Sequence, residues 1–119
     1  MTEEVTDQNT ALALGSGTLR VYGTPAMTKL IEQAAVTLLE GNLDGGMTTV
    51  GTGIEVSHIA PSPVGSQISC QLTLSRIDRK KLTFDVEVRD EMEEIGRGSH
   101  TRFIVDAERF QTKADDKRI

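Results

Sequence analysis

Few residues in this chain of 119 are of types that do chemistry, and their order along the sequence is informative. His58 is the most unusual. It ends an alternating apolar run that includes Ile54 and Val56, and it precedes a proline-bounded turn, Pro61-Ser62-Pro63-Val64-Gly65. A histidine has a reference pKa of about 6.5, so it can act as a base near neutral pH when a carboxylate orients the ring. The structural alternative is a core or strand-edge histidine whose ring nitrogens find hydrogen-bond partners. Glu32 is a candidate for the orienting carboxylate. It lies roughly 130° from the centre of the apolar stripe of its helix, which places it in solvent in a lone chain or against a partner in a dimer. Thr24 stands before Pro25 at the head of that helix, where its hydroxyl either caps free backbone N–H groups or meets a substrate at the positive end of the helix dipole. Gly51, inside a strand, can present a bare backbone N–H to a developing oxyanion or can serve only as a bulge.

Other residues read as structural. His100 follows Gly96-Arg97-Gly98-Ser99, and its parity with the two glycines suggests a surface position or a close approach. Cys70 falls on the apolar face of a strand and reads as an inert core thiol. One cysteine and two distant histidines give neither a disulfide nor a metal-ligand spacing, so no metal is expected. No serine sits in a nucleophile-elbow pattern, and the glycine-rich pieces lack the lysine and spacing of a phosphate loop. With 13 Lys plus Arg against 18 Asp plus Glu, the net charge is −5, and Arg79-Lys80-Lys81 is the only local basic run. Duplex nucleic acid is therefore not an expected partner. No stretch approaches the roughly 20 apolar residues that cross a bilayer, and the first ten residues are acidic and polar, so no membrane association and a cytoplasmic location are expected.

The elements that must hold these residues follow from two periods. Met27, Leu30, Ile31, Ala34, Ala35 and Leu38 draw one stripe on a helix of about four turns that opens at Thr24-Pro25, with Thr24 as cap, and ends at Gly41-Asn42. Four strands follow. In the first, Thr48, Val50, Thr52, Ile54 and Val56 share a face, with Gly51 and Gly53 marking a bulge or a close approach. Ile68 to Leu74, then Leu82 to Val88, alternate cleanly, and a last strand runs within Glu94 to Asp106. Ala11 to Leu14 and Thr18 to Tyr22 read as short strand pieces, and residues 1–10 and 112–119 as loose termini of a single domain, 1–119. The result is an α+β fold in which a curved antiparallel sheet wraps one long helix. Such a sheet has edges to protect, and a chain with so few aromatic residues (3%) gains from sharing its core, so a homodimer is expected.

Three segments then resemble a known family, the small hotdog-fold thioesterases related to fluoroacetyl-CoA thioesterase. They are Thr24-Pro25-Ala26-Met27 through Glu32, Gly51 through Gly65, and Glu94 through Arg102. The spacings of eight, 26 and 44 residues between Thr24, Glu32, His58 and Arg102 match the family's order of threonine, glutamate, histidine and arginine. The resemblance implies a dimer with two sites at the subunit interface, and hydrolysis of an acyl-CoA thioester to a carboxylic acid and CoA, with no cofactor beyond the CoA of the substrate. It implies His58 as general base, Thr24 and Glu32 activating water or forming a transient acyl-enzyme, the Gly51 backbone at the carbonyl, and Arg102 near CoA or bracing the site. The segment before Thr24 departs from the aromatic-rich covering of the fluoroacetyl enzyme. Two further readings compete: a non-catalytic hotdog module that binds acyl-CoA, and a hydratase or dehydratase on the same fold. The expected spacing favours the thioesterase, because no Asp-x-x-x-x-His motif follows the turn.

Overall fold

The structure is a computed structural model that describes residues 1–118. Its centre is helix α2, Thr24–Leu39. Pro25 lies in the first turn, where no N–H is missed, and the buried face carries Ala26, Met27, Leu30, Ile31, Ala34, Ala35 and Leu39. Gly23, not Thr24, is the N-cap, and no side chain caps this end. The reason is that the Gly23 N–H is tied to the carbonyl of Asn9, so the chain turns into the helix one residue early and leaves the Thr24 hydroxyl for another partner.

Around α2 curls a five-stranded antiparallel sheet of β1 (Thr2–Glu4), β2 (Met47–His58), β3 (Gln67–Asp78), β4 (Lys81–Arg89) and β5 (Glu94–Asp106), in the order β1-β3-β4-β5-β2. The four expected strands are present, and a fifth joins them. Residues 1–10, expected to be loose, are tied down: β1 pairs with β3, Val5 is buried, and the Val5 N–H bonds Ser66. Ala11–Leu14 is also not a strand but a short helix, α1, capped by the Thr10 hydroxyl on the Ala13 N–H and closed by Gly15 in the left-handed region. At the other end, Ala107–Asp115 forms helix α3, capped by Asp106, and residues 116–118 add a helical turn. The expected loose tail is therefore helical as far as it is described, though its residues are exposed, and Ile119 lies outside the described residues.

The bulge in β2 re-phases the strand. Gly51 pairs with Arg102, but Gly53 pairs with Thr101, so one residue is extra and parity switches. Thr49 and Gly51 therefore share the helix-facing side with Ile54, Val56 and His58, in place of the single unbroken face expected from Thr48 to Val56. The core lies between α2 and the sheet as two clusters. The larger surrounds Met27, Leu30, Ile31, Ile68, Val88 and Ile95, and the smaller joins Ala35, Leu39, Leu82 and Phe84. Cys70 belongs to the first cluster, and burial pushes its thiol up to about 11, as an inert core position requires.

Candidate active site

The start of α2 and the end of β2 meet at one pair of side chains. Thr24 Oγ1 lies 2.8 Å from His58 Nδ1. The other ring nitrogen, Nε2, is enclosed and without a hydrogen-bond partner, the one such buried side-chain atom among the described residues. Burial lowers the His58 pKa, and an approach of the Ala60 backbone, short of a well-formed bond, opposes this in part. The ring is thus neutral near pH 7 and in contact with a hydroxyl at a helix N-terminus, where the dipole favours developing negative charge. Tyr22, fully buried, meets the ring edge-on with centroids 6.4 Å apart, and its hydroxyl donates to Glu3 of β1 at 2.5 Å. The cavity beside this pair, about 300 Å³, is lined by small residues that include Ala11, Ser16, Val21, Ala60 and Pro61.

A second cluster forms two turns further along α2. Glu32 Oε2 lies 3.5 Å from Arg102 Nη1, with the arginine side chain 6% exposed and the glutamate 46%. Arg102 is built in: its Nε donates to Thr49 Oγ1 at 2.9 Å, its Nη2 to the Thr49 carbonyl at 3.1 Å, and its Nη1 lies 3.2 Å from His100 Nε2. His100 Nδ1 in turn bonds the Gly53 carbonyl at 2.7 Å. Gly51 is pressed against this group, since a methyl built there would stand 2.9 Å from Glu32 Oε2 and 3.3 Å from Arg102 Nη1. Glu32 and Arg102 also border an open groove of about 720 Å³ that runs past Pro25, Thr28 and Lys29.

These two clusters do not meet within one chain. Thr24 and Glu32 are about 12 Å apart along the helix axis, and Gly51 and His58 about 20 Å apart along β2. Within one chain Glu32, expected to orient His58, faces Arg102.

Comparison with known proteins decides the family. The family model described as FlK, fluoroacetyl-CoA-specific thioesterase, matches residues 5–108. The fluoroacetyl-CoA thioesterase of Streptantibioticus cattleyicolor is 32% identical over 97 residues, which cover 82% of this chain and 70% of that protein. This chain belongs to the FlK thioesterase family. A crystal structure of a point mutant of FlK with fluoroacetate and CoA superposes with a TM-score of 0.92 at 28% identity, covering 98% of this chain and 96% of the other. A hot-dog-like protein from Thermanaerovibrio acidaminovorans, 20% identical, superposes at 0.90 over 98% of this chain and 87% of its own, which carries the fold alone. The expected hotdog architecture is thus the observed one.

Within this FlK-family chain, the structure groups Thr24 with His58, and Glu32 with Gly51 and Arg102. Sequence reasoning missed three polar neighbours. His100, read as structural or near the surface, is 1% exposed and touches Arg102; Thr49 anchors the same arginine; and Tyr22 packs on His58. A signal for His100 was available, since it lies two residues from Arg102 on one strand face. Thr49 was hidden by the bulge, which inverts its expected side. Among the described residues, no group of three His, Cys, Asp or Glu is placed to hold a metal ion, and no helix is long and apolar enough to cross a membrane.

Proposed function

We propose that this chain hydrolyses an acyl-CoA thioester to a carboxylic acid and CoA, in the cytoplasm, as a homodimer that needs no metal or cofactor. The observation that carries the reading is the Thr24–His58 pair, a hydroxyl 2.8 Å from a neutral, partly buried imidazole. His58 takes the proton of the attacking O–H, that of Thr24 or of a water, as the oxygen adds to the thioester carbonyl. The tetrahedral intermediate then expels the CoA thiolate, which recovers the proton from the imidazolium. On the Thr24 route a water repeats the addition on the acyl-threonine ester. The Gly51 backbone is assigned to the developing oxyanion, Glu32 to orienting His58 or the water, and Arg102 to bracing Glu32 from its buried seat.

The dimer reading rests on β2. It is an outer strand of the sheet, unpaired on one side along twelve residues, and Ile54 near its middle is exposed. Antiparallel pairing of two copies about a two-fold axis at Glu55, with Thr52 left out as the bulge, puts Gly51 opposite His58 of the partner subunit. Each Glu32–Arg102 cluster then approaches the other subunit's Thr24–His58 pair, and two complete sites form. The acyl group goes to the cavity of about 300 Å³ beside His58, a volume at the lower end for ligand pockets, which favours short acyl groups over long ones.

The test is release of free CoA thiol from a panel of acyl-CoAs, acetyl to decanoyl plus phenylacetyl, with wild type and His58→Ala side by side. The expected result is turnover by wild type that falls at least about 1000-fold in a variant that stays folded and dimeric. Binding of CoA esters without thiol release would instead support a non-catalytic module, and loss of the enoyl or 3-hydroxyacyl group with the thioester intact would support a hydratase.

A further inference from the structure

His100 is engaged on all sides. Its ring is 1% exposed and stacks on Phe84, with centroids 6.3 Å apart and planes at 27°. Both nitrogens have partners that fix the tautomer. The Gly53 carbonyl, 2.7 Å from Nδ1, can only accept, so Nδ1 carries the proton. The Arg102 guanidinium, 3.2 Å from Nε2, can only donate, so Nε2 presents its lone pair. His100 is thus a neutral ring that converts a backbone acceptor in the β2 bulge into an acceptor aimed at Arg102.

This acceptor fills a gap in the arginine's support. Thr49 holds Nε and Nη2 through its hydroxyl and carbonyl, which fixes one side of the guanidinium. The remaining nitrogen, Nη1, is the one that faces Glu32, at 3.5 Å, and its one well-formed hydrogen bond is to His100. We infer that His100 is a positioning residue of the thioesterase reaction: by holding Arg102 Nη1 it sets the place of the Glu32 carboxylate. The inference rests on the thioesterase reading above and adds to it a residue that touches neither substrate nor reacting atoms.

Two amide substitutions separate this role from packing. An asparagine can keep a donor near the Nδ1 position and so the Gly53 bond, but it does not reach Arg102. A glutamine places its carbonyl oxygen near the Nε2 position and restores the acceptor. The expected result for His100→Asn is a fall in kcat for acyl-CoA hydrolysis of about 10- to 100-fold with KM changed less than about threefold, as for a displaced catalytic group. His100→Gln should recover kcat to within about fivefold of wild type. Equal activity of His100→Asn and wild type, or a His100→Gln no better than His100→Asn while both melt as folded protein, overturns the inference. Should both variants fail to fold, the ¹⁵N spectrum of the wild-type ring decides: a neutral ring protonated on Nδ1 is required, and protonation on Nε2 refutes the anchor. A wild type that releases no thiol from any ester refutes the thioesterase reading, and with it the positioning role of His100, whatever tautomer the ring shows.

Discussion

Gly51→Ala should separate the site from the fold. Gly51 does not adopt a positive φ, so alanine fits the backbone there. The new methyl would stand 2.9 Å from Glu32 Oε2, 3.3 Å from Arg102 Nη1 and 3.5 Å from His100 Cε1. Ordinary contact begins near 3.4 Å, so something must move by about half an ångström or more. Arg102 is held by Thr49 and His100, whereas Glu32 is half exposed, so the carboxylate moves. A misplacement of about 1 Å can cost about 100-fold, and half of that distance points to a fall in kcat of about tenfold or more. Stability should go the other way or stay level, because replacing glycine by alanine at a compatible φ restricts the unfolded chain by about 0.4–1 kcal/mol. The assay is thiol release alongside a thermal melt. Gly53→Ala is the matched comparison, since its methyl meets a hydroxyl, Thr101 Oγ1, at the same 2.9 Å but away from Glu32. Its kcat should fall several-fold less. Full activity in Gly51→Ala, or activity lost only in step with the melting temperature, would refute the reasoning.

Two more outcomes follow from the site's surroundings. Because burial lowers the His58 pKa, the neutral base persists below the ordinary histidine range, and the acid limb of kcat/KM should lie below about pH 6.5; a limb above that value contradicts the burial argument. The same shift makes stability full above the unfolded pKa of about 6.5 and reduces it as pH falls through the folded value, a dependence that His58→Gln should flatten in pH-dependent melts. Tyr22→Phe removes the hydroxyl bonded to Glu3 at 2.5 Å and should cost about 1–2 kcal/mol by denaturant titration, while Glu3→Gln, which keeps an acceptor, should cost less. Equal losses in the two would show that the bond depends on the charge of its acceptor and that an amide oxygen cannot replace it.

The sequence disclosed the elements whose pattern is set by a single neighbour. Helix α2 and strands β3 and β4 bury one face against one partner, so their periods are unbroken where Leu30, Ile68 or Phe84 sit, and they could be read directly. Elements that depend on distant partners were not legible. β1 has three residues and exists because β3 offers an edge. Ala11–Leu14 is a different case, since its alanines and leucines favour a helix and its caps, Thr10 and Gly15, are adjacent, but four residues are too few to show a helical period. The site divides in the same way. Thr24, Glu32 and His58 stood out by type and spacing, but the side on which Thr49 and Gly51 face depends on a one-residue bulge, and the partner of His100 depends on strand register. Neither is encoded in the period of one segment.

The glycines of β5 show how the fold brings its chemistry together. Gly96 pairs with His58, and a methyl there would stand 2.7 Å from Met27 Sδ in the first turn of α2. A methyl on Gly98 would collide with the backbone of Glu55 in β2. Two missing side chains thus let the head of α2 settle on β5 and let β2 close against the same strand, and that double approach is what places Thr24 beside His58. Two residues further on, the small side chains give way to His100 and Arg102, which fill the widening space with hydrogen bonds and carry Glu32. One strand therefore serves both clusters, by absence at one end and by polar bulk at the other. The clusters end up toward opposite ends of the outer strand β2, and the antiparallel pairing of that edge proposed above would bring the two ends together. The thioesterase reading proposed above therefore calls for a dimer, since a lone chain holds His58 and the Glu32 carboxylate too far apart to act on one thioester.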